Sequence, residues 1–571
     1  MSHTPRTDDI WFLIGQVLQL PERLRQLPPF ADIDADLMRQ VLEESGTFVA
    51  EVIAPLNRHG DEQGAQWREG VVTMPDGFRD AYQSFWQAGW PGLACDPADG
   101  GQGLPAVLEA TLYEMLSAAN HGWTMAPGLL HGAYECIRHH ASDELKALYL
   151  PRIARGEWLA TMCLTEPHAG SDLGLVSTRA QAQADGRYAI SGSKIFISGG
   201  EHDLTDNIVH LVLARLPDAP PGPRGLSLFL VPKIDPQGQR SAVYCDRIEE
   251  KMGLHGSPTC AMRFDHALGW IVGEPGKGLA AMFVMMNAAR LHVALQGIGL
   301  LEAAWQKADA YAQERRQMRA PGPRNDPAHA DLIIRHPAMR RILDTQRAWI
   351  DGGRWLAYRT AFELDRAKHA SHADERAAAQ RWCALATPVL KAMLTQQAFE
   401  GASACLQVLG GHGYVREWGI EQYVRDARVT MIYEGTNEIQ SIDLLIRKVL
   451  PDGGQALAEL MHQACAGLAQ PQPELLEMAR QWQGLTQRLA QASASPTLAH
   501  ELADDYLRGL GLWMMALAWA HLSEHIPTLP AESQGRWQSP RRAFLRWVLP
   551  EWRMRHDLMQ AALDGAEALT P

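Results

Sequence analysis

The chain has 571 residues, which is too long for one hydrophobic core and predicts three or four domains. Hydrophobic residues make up 46% and charged residues 21% of the sequence, the balance of an ordinary globular protein. The formal net charge of −13 argues against broad, nonspecific attraction to nucleic acid or to an anionic membrane surface.

Cysteine usage and the N-terminal sequence indicate the compartment. The eight cysteines form no CxxC pair and no spacing typical of zinc, so we expect reduced core residues and no bound metal. Residues 1–26 lack the charged-then-apolar pattern of a signal peptide, and no later segment has 18 uncharged apolar residues. We therefore expect a cytoplasmic protein without a membrane span.

The first part of the chain is predicted to be helical because its apolar residues recur at helical spacing. These patterns cover 31–57, 77–88, 106–119, 127–139 and 142–154. The glycine-rich stretch 100–103 lies between two of them and is interpreted as a turn.

Between about residues 160 and 280, short β-prone runs alternate with Gly, Asp and Pro turns. The runs cover 187–190, 193–198, 207–216, 226–232, 259–264 and 270–272. Many short strands at this spacing predict a small β-barrel or sandwich.

Helical patterns return from residue 278, at 279–318, 338–368 and 375–409. A last helix of this set is predicted to open at Glu434 and to end before Pro451, where two glycines mark a domain boundary. The remaining residues, 451–571, are predicted to form further helices and contain no lysine, nine arginines and 13 acidic residues.

Four short motifs carry the chemistry of this chain. They are MCLTEPHAGSDLG at 162–174, KMG at 251–253, QVLGGHGY at 407–414 and MIYEGTNEIQ at 431–440. The last motif alone would be an ordinary helix start with acidic residues near the positive end of the helix dipole. In this order, the four together resemble the acyl-CoA dehydrogenase family of flavoenzymes.

The resemblance implies a multidomain α+β fold. It comprises an N-terminal helical domain, a middle β-barrel, a C-terminal helical bundle that carries catalysis, and an extra helical C-terminal domain. Together with a short N-terminal extension, the predicted limits are 1–34, 35–158, 159–277, 278–450 and 451–571. The extra domain and the run at 285–291 are similar to a longer bacterial subgroup. That subgroup includes broad-specificity fatty acyl-CoA dehydrogenases and 3-methylmercaptopropionyl-CoA dehydrogenases.

The reaction that the resemblance implies is α,β-dehydrogenation of an acyl-CoA thioester, a step of fatty acid β-oxidation. A carboxylate removes the α proton, a hydride passes to FAD, and the developing enolate oxygen needs hydrogen-bond donors. By resemblance Glu434 is the base, and its own N–H and the flavin ribityl hydroxyl are the donors. Some relatives carry the base on another helix, at the position of Ala289 here, and alanine has no carboxylate.

The resemblance also implies a set of FAD-binding residues. They are Met162, Leu164, Thr165, Gly170, Ser171, Phe196, Ser198, Arg315, Gln407, Gly410, Gly411 and Thr436. The family usually has tryptophan at the position of Phe196, so stacking on the ring is kept while the indole donor is lost. Core packing explains Phe196 almost as well, and a solvated charge near the end of a long helix is the alternative interpretation of Arg315.

Substrate contacts are implied for Ser171, Asn287, Arg290 and Gly435. An ordinary polar helix face is the alternative explanation for Asn287 and Arg290. His255 stands where relatives commonly have arginine. Chain length and branching of the acyl group do not follow from the sequence.

The implied partners are the acyl-CoA substrate, electron-transfer flavoprotein and a second copy of the chain, in a homodimer or a tetramer. Two other functions stay open. An acyl-CoA oxidase would use the same base and flavin but pass electrons to oxygen. A DNA-binding flavoprotein of the alkylation response would need a basic patch, for which residues 536–555 offer six arginines and one glutamate. Because residues 451–571 are acidic in total, an interaction role for this segment is favoured and nucleic acid binding is not.

Overall fold

The computed structural model describes residues 3–323, 328–491 and 496–568, and the chain divides into two compact units. One unit comprises Glu44–His292, and the other comprises His3–Glu43 together with Val293–Pro571. The N-terminal extension therefore belongs to the same unit as the C-terminal helices. The four predicted domain limits stay a prediction.

The helical part before the sheet is close to the predicted one. Its helices are α1 (Thr7–Trp11), α2 (Leu20–Leu24), α3 (Ala35–Phe48), α4 (Asn57–Gln63), α5 (Phe78–Gln87), α6 (Ala106–Thr124), α7 (Leu130–His140) and α8 (Asp143–Ala154). Helix α8 shows how the sequence sets a boundary. The Ser142 side chain accepts a hydrogen bond from the main-chain N–H of Leu145, and Asp143 and Glu144 lie in the first turn.

The sequence patterns missed a hairpin and three strands. The hairpin is β1 (Gln66–Arg68) with β2 (Val71–Thr73), two of the strands are β4 (Arg179–Ala182) and β8 (Val243–Ile248), and the third is Leu159–Cys163, the first strand of the large sheet. Strand β1 has no buried position and β4 has one, so neither shows a clear alternation of apolar and polar residues. Pairing to neighbouring strands decides their conformation.

The other strands form the predicted β-barrel. They are β3 (Leu159–Cys163), β5 (Tyr188–Ser198), β6 (Ile208–Arg215), β7 (Leu226–Pro232) and β9 (Thr259–Val272). Strand β6 pairs with β4, β4 with β5, β5 with β9, β9 with β7, and β7 again with β6, so the pairings close on themselves. Strand β3 joins the outside of this circuit by parallel pairing with β6.

The barrel interior explains why β6 and β7 are continuous apolar runs. Every residue of β7 is buried, and so is every residue of β6 except the last, Arg215. A strand that is covered on both faces needs no polar face, unlike the half-exposed β8. The core includes Val212, Phe229, Met262 and Phe264.

Long helices dominate the other unit. They are α9 (Gly278–Glu314), which belongs to this unit from Val293 onward, α10 (Pro337–His369), α11 (Ala373–Val408), α12 (Glu421–Thr430) and α13 (Asn437–Ile442). The backbones of α9 and α11 approach closely at Gly297, where a Cβ atom would lie 2.8 Å from the Leu394 carbonyl oxygen. Glycine is therefore required for this contact between the helices.

The C-terminal residues form helices that pack on this bundle. They are α14 (Gln455–Ala466), α15 (Pro473–Gln491), α16 (Pro496–Glu501), α17 (Ala503–His525), α18 (Ala531–Ala543) and α19 (Pro550–Ala568). Helix α17 packs against α10, α11 and α13, and the Trp519 indole N–H donates to the Ala348 carbonyl of α10 at 3.2 Å. The segment thus covers one side of the helical bundle, as favoured from the sequence.

Buried ion pairs tie the N-terminal extension to α10 and α18. The Arg536 guanidinium of α18 donates to both carboxylate oxygens of Asp351, at 2.7 and 2.8 Å, and to Asp9 at 3.0 Å. Arg347 also donates to Asp351, at 2.8 Å, and Asp351 is fully buried. Since a buried charge is tolerated only when it is paired and hydrogen-bonded, these partners depend on one another.

Within the described residues, one helix has the length and composition of a membrane span. It is α9, with a mean hydropathy of 1.4 in its most apolar window, of which 61% is buried inside the protein. A mostly buried core helix gives the same pattern.

Candidate active site

Glu434 lies in a turn that precedes α13, which corrects the prediction that it opens the helix. The helix begins three residues later, at Asn437, with Thr436 as its N-cap. The backbone of Glu434 has a φ of 57° and that of Gly435 a φ of 83°, so two successive residues are left-handed. The left-handed region is unfavourable for a glutamate, and such strain is common at functional sites.

Buried side chains hold the backbone of this turn by hydrogen bonds to its carbonyl groups. The Lys391 ammonium donates to the Gly435 carbonyl at 2.8 Å and to the Asn437 side-chain oxygen at 3.0 Å. The Gln440 amide donates to the Glu434 carbonyl at 2.9 Å. Lys391 and Gln440 are both fully buried, which makes these hydrogen bonds strong determinants of the turn geometry.

Asn437 links the turn to α11. Its amide donates to the Ala392 carbonyl at 3.0 Å, and its oxygen accepts from Lys391 and from the Thr395 hydroxyl at 3.3 Å. Sequence analysis missed this clamp of Lys391, Thr395, Asn437 and Gln440. A signal was present, because Lys391 is a single lysine within an apolar helical run.

The neighbours of Glu434 shape its surroundings. The Tyr433 hydroxyl donates to the Gln296 side-chain oxygen at 2.6 Å. Burial, together with the negative charge of Glu434, raises the pKa of Tyr433 well above its usual value, so the phenol stays neutral. Glu434 itself is partly exposed, on a backbone that is held from the buried side.

The Thr436 hydroxyl accepts a hydrogen bond from the Ile439 N–H at 3.4 Å as the N-cap of α13. A hydroxyl that accepts at a cap retains its own proton for donation. The predicted phosphate contact of Thr436 is therefore compatible with its capping role. At Gly435 a Cβ atom would meet the Gln440 amide nitrogen at 2.8 Å, so a larger residue does not fit.

In the barrel unit, the end of β3 and the start of the following loop form the predicted flavin wall. Met162 is buried, whereas Leu164 and Thr165 are partly exposed. The Leu164 carbonyl accepts from the Lys194 ammonium and the Thr165 carbonyl from the Ile195 N–H, both at 2.9 Å. Both carbonyl oxygens are thus occupied by hydrogen bonds. A flavin ring at this wall would therefore meet main-chain N–H groups and the Thr165 hydroxyl.

Glu166 anchors this wall. Its carboxylate accepts from the hydroxyls of Ser177 and Thr178, both at 2.6 Å, and pairs with Lys194 at 2.9 Å. Burial opposes ionisation of Glu166, but Lys194 and the two hydroxyls outweigh it and lower the pKa to about 2. Sequence analysis missed the Glu166–Lys194 pair, although Glu166 lies in the first motif and Lys194 in the predicted strand 193–198.

Phe196 has the geometry of a ligand contact rather than of a core residue. Its side chain is 60% exposed and its backbone φ is 59°, which is strained for an aromatic residue. Ser198 is partly exposed at the end of the same strand, β5. The alternative of core packing for Phe196 is therefore wrong for the isolated chain.

The loop after the flavin wall is open. Gly170 and Ser171 are exposed, and a Cβ atom at Gly170 would have no neighbour within 4 Å. Main-chain amides in such a loop suit a phosphate. The residues present thus fit FAD: an exposed aromatic ring, main-chain donors and an open glycine loop.

The two predicted CoA contacts lie near the start of α9. Asn287 is exposed, whereas Arg290 is 5% exposed and donates to the Asn287 side-chain oxygen at 3.5 Å. Ala289 is buried beside them, so that position offers no base.

His255 lies in the loop that follows the second motif, residues 251–253. Its ring lies 3.0 Å from the Asp61 carboxylate and 2.9 Å from the Lys251 carbonyl, while the Lys251 ammonium donates to the Ser257 carbonyl at 2.9 Å. His255 thus has a structural role in place of the arginine that relatives commonly have.

The residues predicted to meet the FAD of a second subunit are exposed. Arg315 follows the end of α9, where the Ile333 N–H donates to its carbonyl at 2.8 Å. Gln407, Gly410 and Gly411 lie at the end of α11, and a Cβ atom at either glycine would meet nothing within 4 Å. This loop is open to a partner molecule.

Comparisons with known proteins identify related domains along most of the chain. Residues 36–157, 161–267 and 276–449 match the family models described as acyl-CoA dehydrogenase N-terminal, middle and C-terminal domains. The chain is 43% identical over 501 residues to a 3-methylmercaptopropionyl-CoA dehydrogenase from Ruegeria pomeroyi, covering 87% of this chain and 84% of the relative. It is 36% identical over 450 residues to the broad-specificity linear acyl-CoA dehydrogenase FadE5 from Mycobacterium tuberculosis, covering 76% and 73%.

A solved structure extends the likeness of the fold beyond these models. An acyl-CoA dehydrogenase from Bacillus anthracis, complexed with FAD, superposes with a TM-score of 0.75 at 22% identity. The match covers 96% of this chain and 94% of that one, so the additional C-terminal helices have a counterpart there. The predicted multidomain α+β fold is confirmed.

Proposed function

The chain belongs to the acyl-CoA dehydrogenase family, and we propose that it converts acyl-CoA thioesters to trans-2-enoyl-CoA with Glu434 as the base. The observation that carries this assignment is the turn at Glu434. A carboxylate is presented on a strained, left-handed backbone that Lys391 and Gln440 hold from the buried side. Fixed positioning of this kind lowers the cost of reaching the reactive geometry.

Different residues bind the substrate, line the flavin wall and move the proton in the proposed reaction. The Glu434 carboxylate takes the α proton, and its main-chain N–H donates to the thioester oxygen as negative charge develops there. Arg290 and Asn287 bind the CoA moiety, and Phe196 and Thr165 line the ring-binding wall. Bound FAD, held at this wall by Phe196 and Thr165, would supply the acceptor for the hydride of the β carbon.

Electrons then pass to electron-transfer flavoprotein, as the family resemblance implies. We also propose a homodimer, because the loop that contains Gly410 and Gly411 is exposed and Tyr414 after it is 87% exposed. A cytoplasmic location agrees with the eight cysteines, all of which are free thiols. The named activities of the two relatives direct the substrate search to linear and methylthio-substituted thioesters.

The arginines of residues 536–555 give little support to DNA binding. Arg536 is committed to Asp351 and Asp9, and Arg555 pairs with Asp505 and with Glu551 at 3.0 Å. Phosphate binding needs several clustered cations that are exposed, and these two are not available for it.

The test is anaerobic mixing of the holoenzyme with a panel of acyl-CoA thioesters while the flavin absorbance is followed. The panel contains butyryl-CoA, longer linear thioesters and 3-methylmercaptopropionyl-CoA. We expect bleaching by at least one of them, and the rates rank chain length and substitution. If none of them bleaches bound FAD, the proposal is wrong.

Two variants test the base with the same chemical change. Glu434→Gln is expected to retain FAD and to slow flavin reduction by a factor of at least about 10²–10⁴, since the base is lost. Glu438→Gln, an exposed position in the first turn of α13, is expected to reduce near the wild-type rate. Near-native reduction by Glu434→Gln would exclude it as the base.

The rate at which the reduced enzyme is reoxidised distinguishes a dehydrogenase from an oxidase. We expect fast reoxidation by electron-transfer flavoprotein and slow reoxidation by oxygen. The opposite order of rates would assign an oxidase.

A further inference from the structure

A cavity of about 410 Å³ lies between the N-terminal extension, α10, α14 and α17. This volume is in the range of small-molecule sites. Its walls include Leu18 and Arg23 of the extension, Trp355 and Arg359 of α10, and His521 of α17. None of the lining residues is among those assigned above to acyl-CoA or FAD.

Most of this cavity is built from chain segments that the family models do not match. Those models cover residues 36–449, whereas Gln19 and Arg23 precede them and Gln463, Gly467 and His521 follow them. The cavity therefore exists because this chain has an extension and an added helical segment.

Three buried nitrogen atoms in the wall have no hydrogen-bond partner among the residues that the structure describes. They are the indole nitrogen of Trp355, the Nε atom of Arg359 and the Nε2 atom of His521. Trp355 is 1% exposed. Unpartnered buried polar atoms are rare in proteins and call for an explanation, such as a ligand that pairs with them.

The three groups lie together. The His521 ring stacks on Trp355 with a centroid distance of 4.9 Å, and the Arg359 guanidinium lies 5.3 Å from the Trp355 ring centroid. Indole and guanidinium nitrogens are donors only, so a complementary ligand must bring acceptors.

The charge in the wall is positive. Two arginines, Arg23 and Arg359, line the cavity with one carboxylate, Glu524, which accepts from the Gln470 N–H at 2.9 Å. Glu363 pairs more closely with Arg366, at 2.8 Å, than with the Nε atom of Arg359, at 3.8 Å. Burial, reinforced by the charge of Arg359, lowers the pKa of His521 to about 3, so this ring adds no charge at neutral pH.

We propose that this cavity binds a small oxyanion, the carboxylate or phosphate group of a short organic molecule, between the N-terminal extension and the added C-terminal helices. The guanidinium of Arg359 and the indole N–H of Trp355 donate to the anion, and Arg23 contributes charge. Leu18 and Ala464 offer apolar contact to the rest of the molecule. The site is independent of the dehydrogenation chemistry.

Gly467 provides a matched pair of variants at the exposed edge of the cavity. Its backbone is helical, with a φ of −76°, and an added Cβ atom would meet only carbonyl oxygens at 3.5 and 3.8 Å. Both Gly467→Glu and Gly467→Gln therefore fit. They differ in one negative charge, which would compete with a bound oxyanion.

The experiment is calorimetric titration of the holoenzyme with sodium phosphate and with sodium hexanoate, each corrected for sodium chloride at equal ionic strength. We expect saturable binding to wild type and to Gly467→Gln with a Kd of about 1 mM or lower. Gly467→Glu and Arg23→Gln are expected to bind at least about tenfold more weakly, a loss near 1.4 kcal/mol.

The two probes distinguish the sources of the anion. Binding of phosphate alone assigns a phosphate ligand, binding of hexanoate alone assigns a carboxylate, and either result supports the proposal. Absence of saturable binding, or equal binding by Gly467→Glu and Gly467→Gln, would overturn it. Flavin reduction by acyl-CoA is expected to be unchanged in the Gly467 variants, so failure here leaves the proposed function intact.

Discussion

Lys391 donates a hydrogen bond of 2.8 Å to the carbonyl of Gly435, the residue that follows the proposed base Glu434. The same ammonium donates to Asn437 at 3.0 Å, and Lys391 is fully buried. A lysine in α11 thus fixes the backbone next to the proposed catalytic carboxylate. This relationship makes Lys391 a positioning residue and leads to the first prediction.

Replacement of Lys391 by Met is expected to lower kcat more than it raises KM. The side chain keeps its volume, but the turn loses its anchor, and small displacements of a reacting group cost up to about 100-fold in rate. Stopped-flow flavin reduction measures the effect. The two stranded acceptors cost about 1–3 kcal/mol of stability each.

Lys448→Met is the matched control. Lys448 also donates to a main-chain carbonyl, that of Ala384 at 2.8 Å, but its side chain is 25% exposed. We expect near-native kcat for this variant. Equal losses in both variants would show that Lys391 acts through general stability and not through the turn.

The Glu166–Lys194 pair predicts a pH dependence of stability. The Glu166 pKa is lowered from 4.5 to about 2 in the folded protein, so its stabilisation is fully present above pH 4.5 and is lost as the pH falls toward 2. Glu166→Gln is expected to be less stable than wild type by on the order of 2–3 kcal/mol at pH 7.

Urea unfolding from pH 7 to 2 tests this pair. The difference between wild type and Glu166→Gln should shrink toward zero across the interval from pH 4.5 to 2. Glu157→Gln removes surface ion pairs and should change stability by less than about 1 kcal/mol. A constant difference for Glu166→Gln across that interval would contradict the assignment.

Arg536→Met is expected to loosen the N-terminal extension. It removes the bidentate partner of the fully buried Asp351 and the partner of Asp9, which costs about 3–5 kcal/mol when one member of a buried pair is lost. Limited proteolysis should cleave the extension faster, and Tm should fall.

The control for that prediction is Arg542→Met on the same helix. Arg542 is exposed and donates to the Ser539 hydroxyl of the same helix at 2.9 Å. The extension of the Arg542→Met variant should be cleaved at the wild-type rate. If Arg536→Met also matched wild type, the ion pairs would not hold the extension.

Phe196→Gly separates backbone strain from cofactor contact. Glycine tolerates a φ of 59°, so the apoprotein should be as stable as wild type or more stable, while the affinity for FAD should fall. His266→Gly, at a φ of 56°, relieves similar strain elsewhere in the barrel unit. FAD titration of both apoproteins should show weakened binding for Phe196→Gly alone.

Much of the fold follows from local patterns. The strands β6 and β7 and the helices α10 and α11 were predicted to within a few residues, because long apolar periodicities are strong signals. The hairpin β1–β2 and the strands β3, β4 and β8 were missed, since each strand has only three to six residues, too few for a clear periodicity.

The candidate site likewise combines features that the sequence predicts with features that it does not. The order of four motifs was enough to identify the family and to propose Glu434 as the base, because a resemblance of short motifs is visible in the sequence itself. The left-handed turn at Glu434, its clamp by Lys391 and the buried carboxylate of Glu166 depend on side chains that meet across 28 to 44 positions of the chain. Hydrogen bonds between distant segments have no periodicity, so only the tertiary structure decides them, along with the cavity beside Arg359.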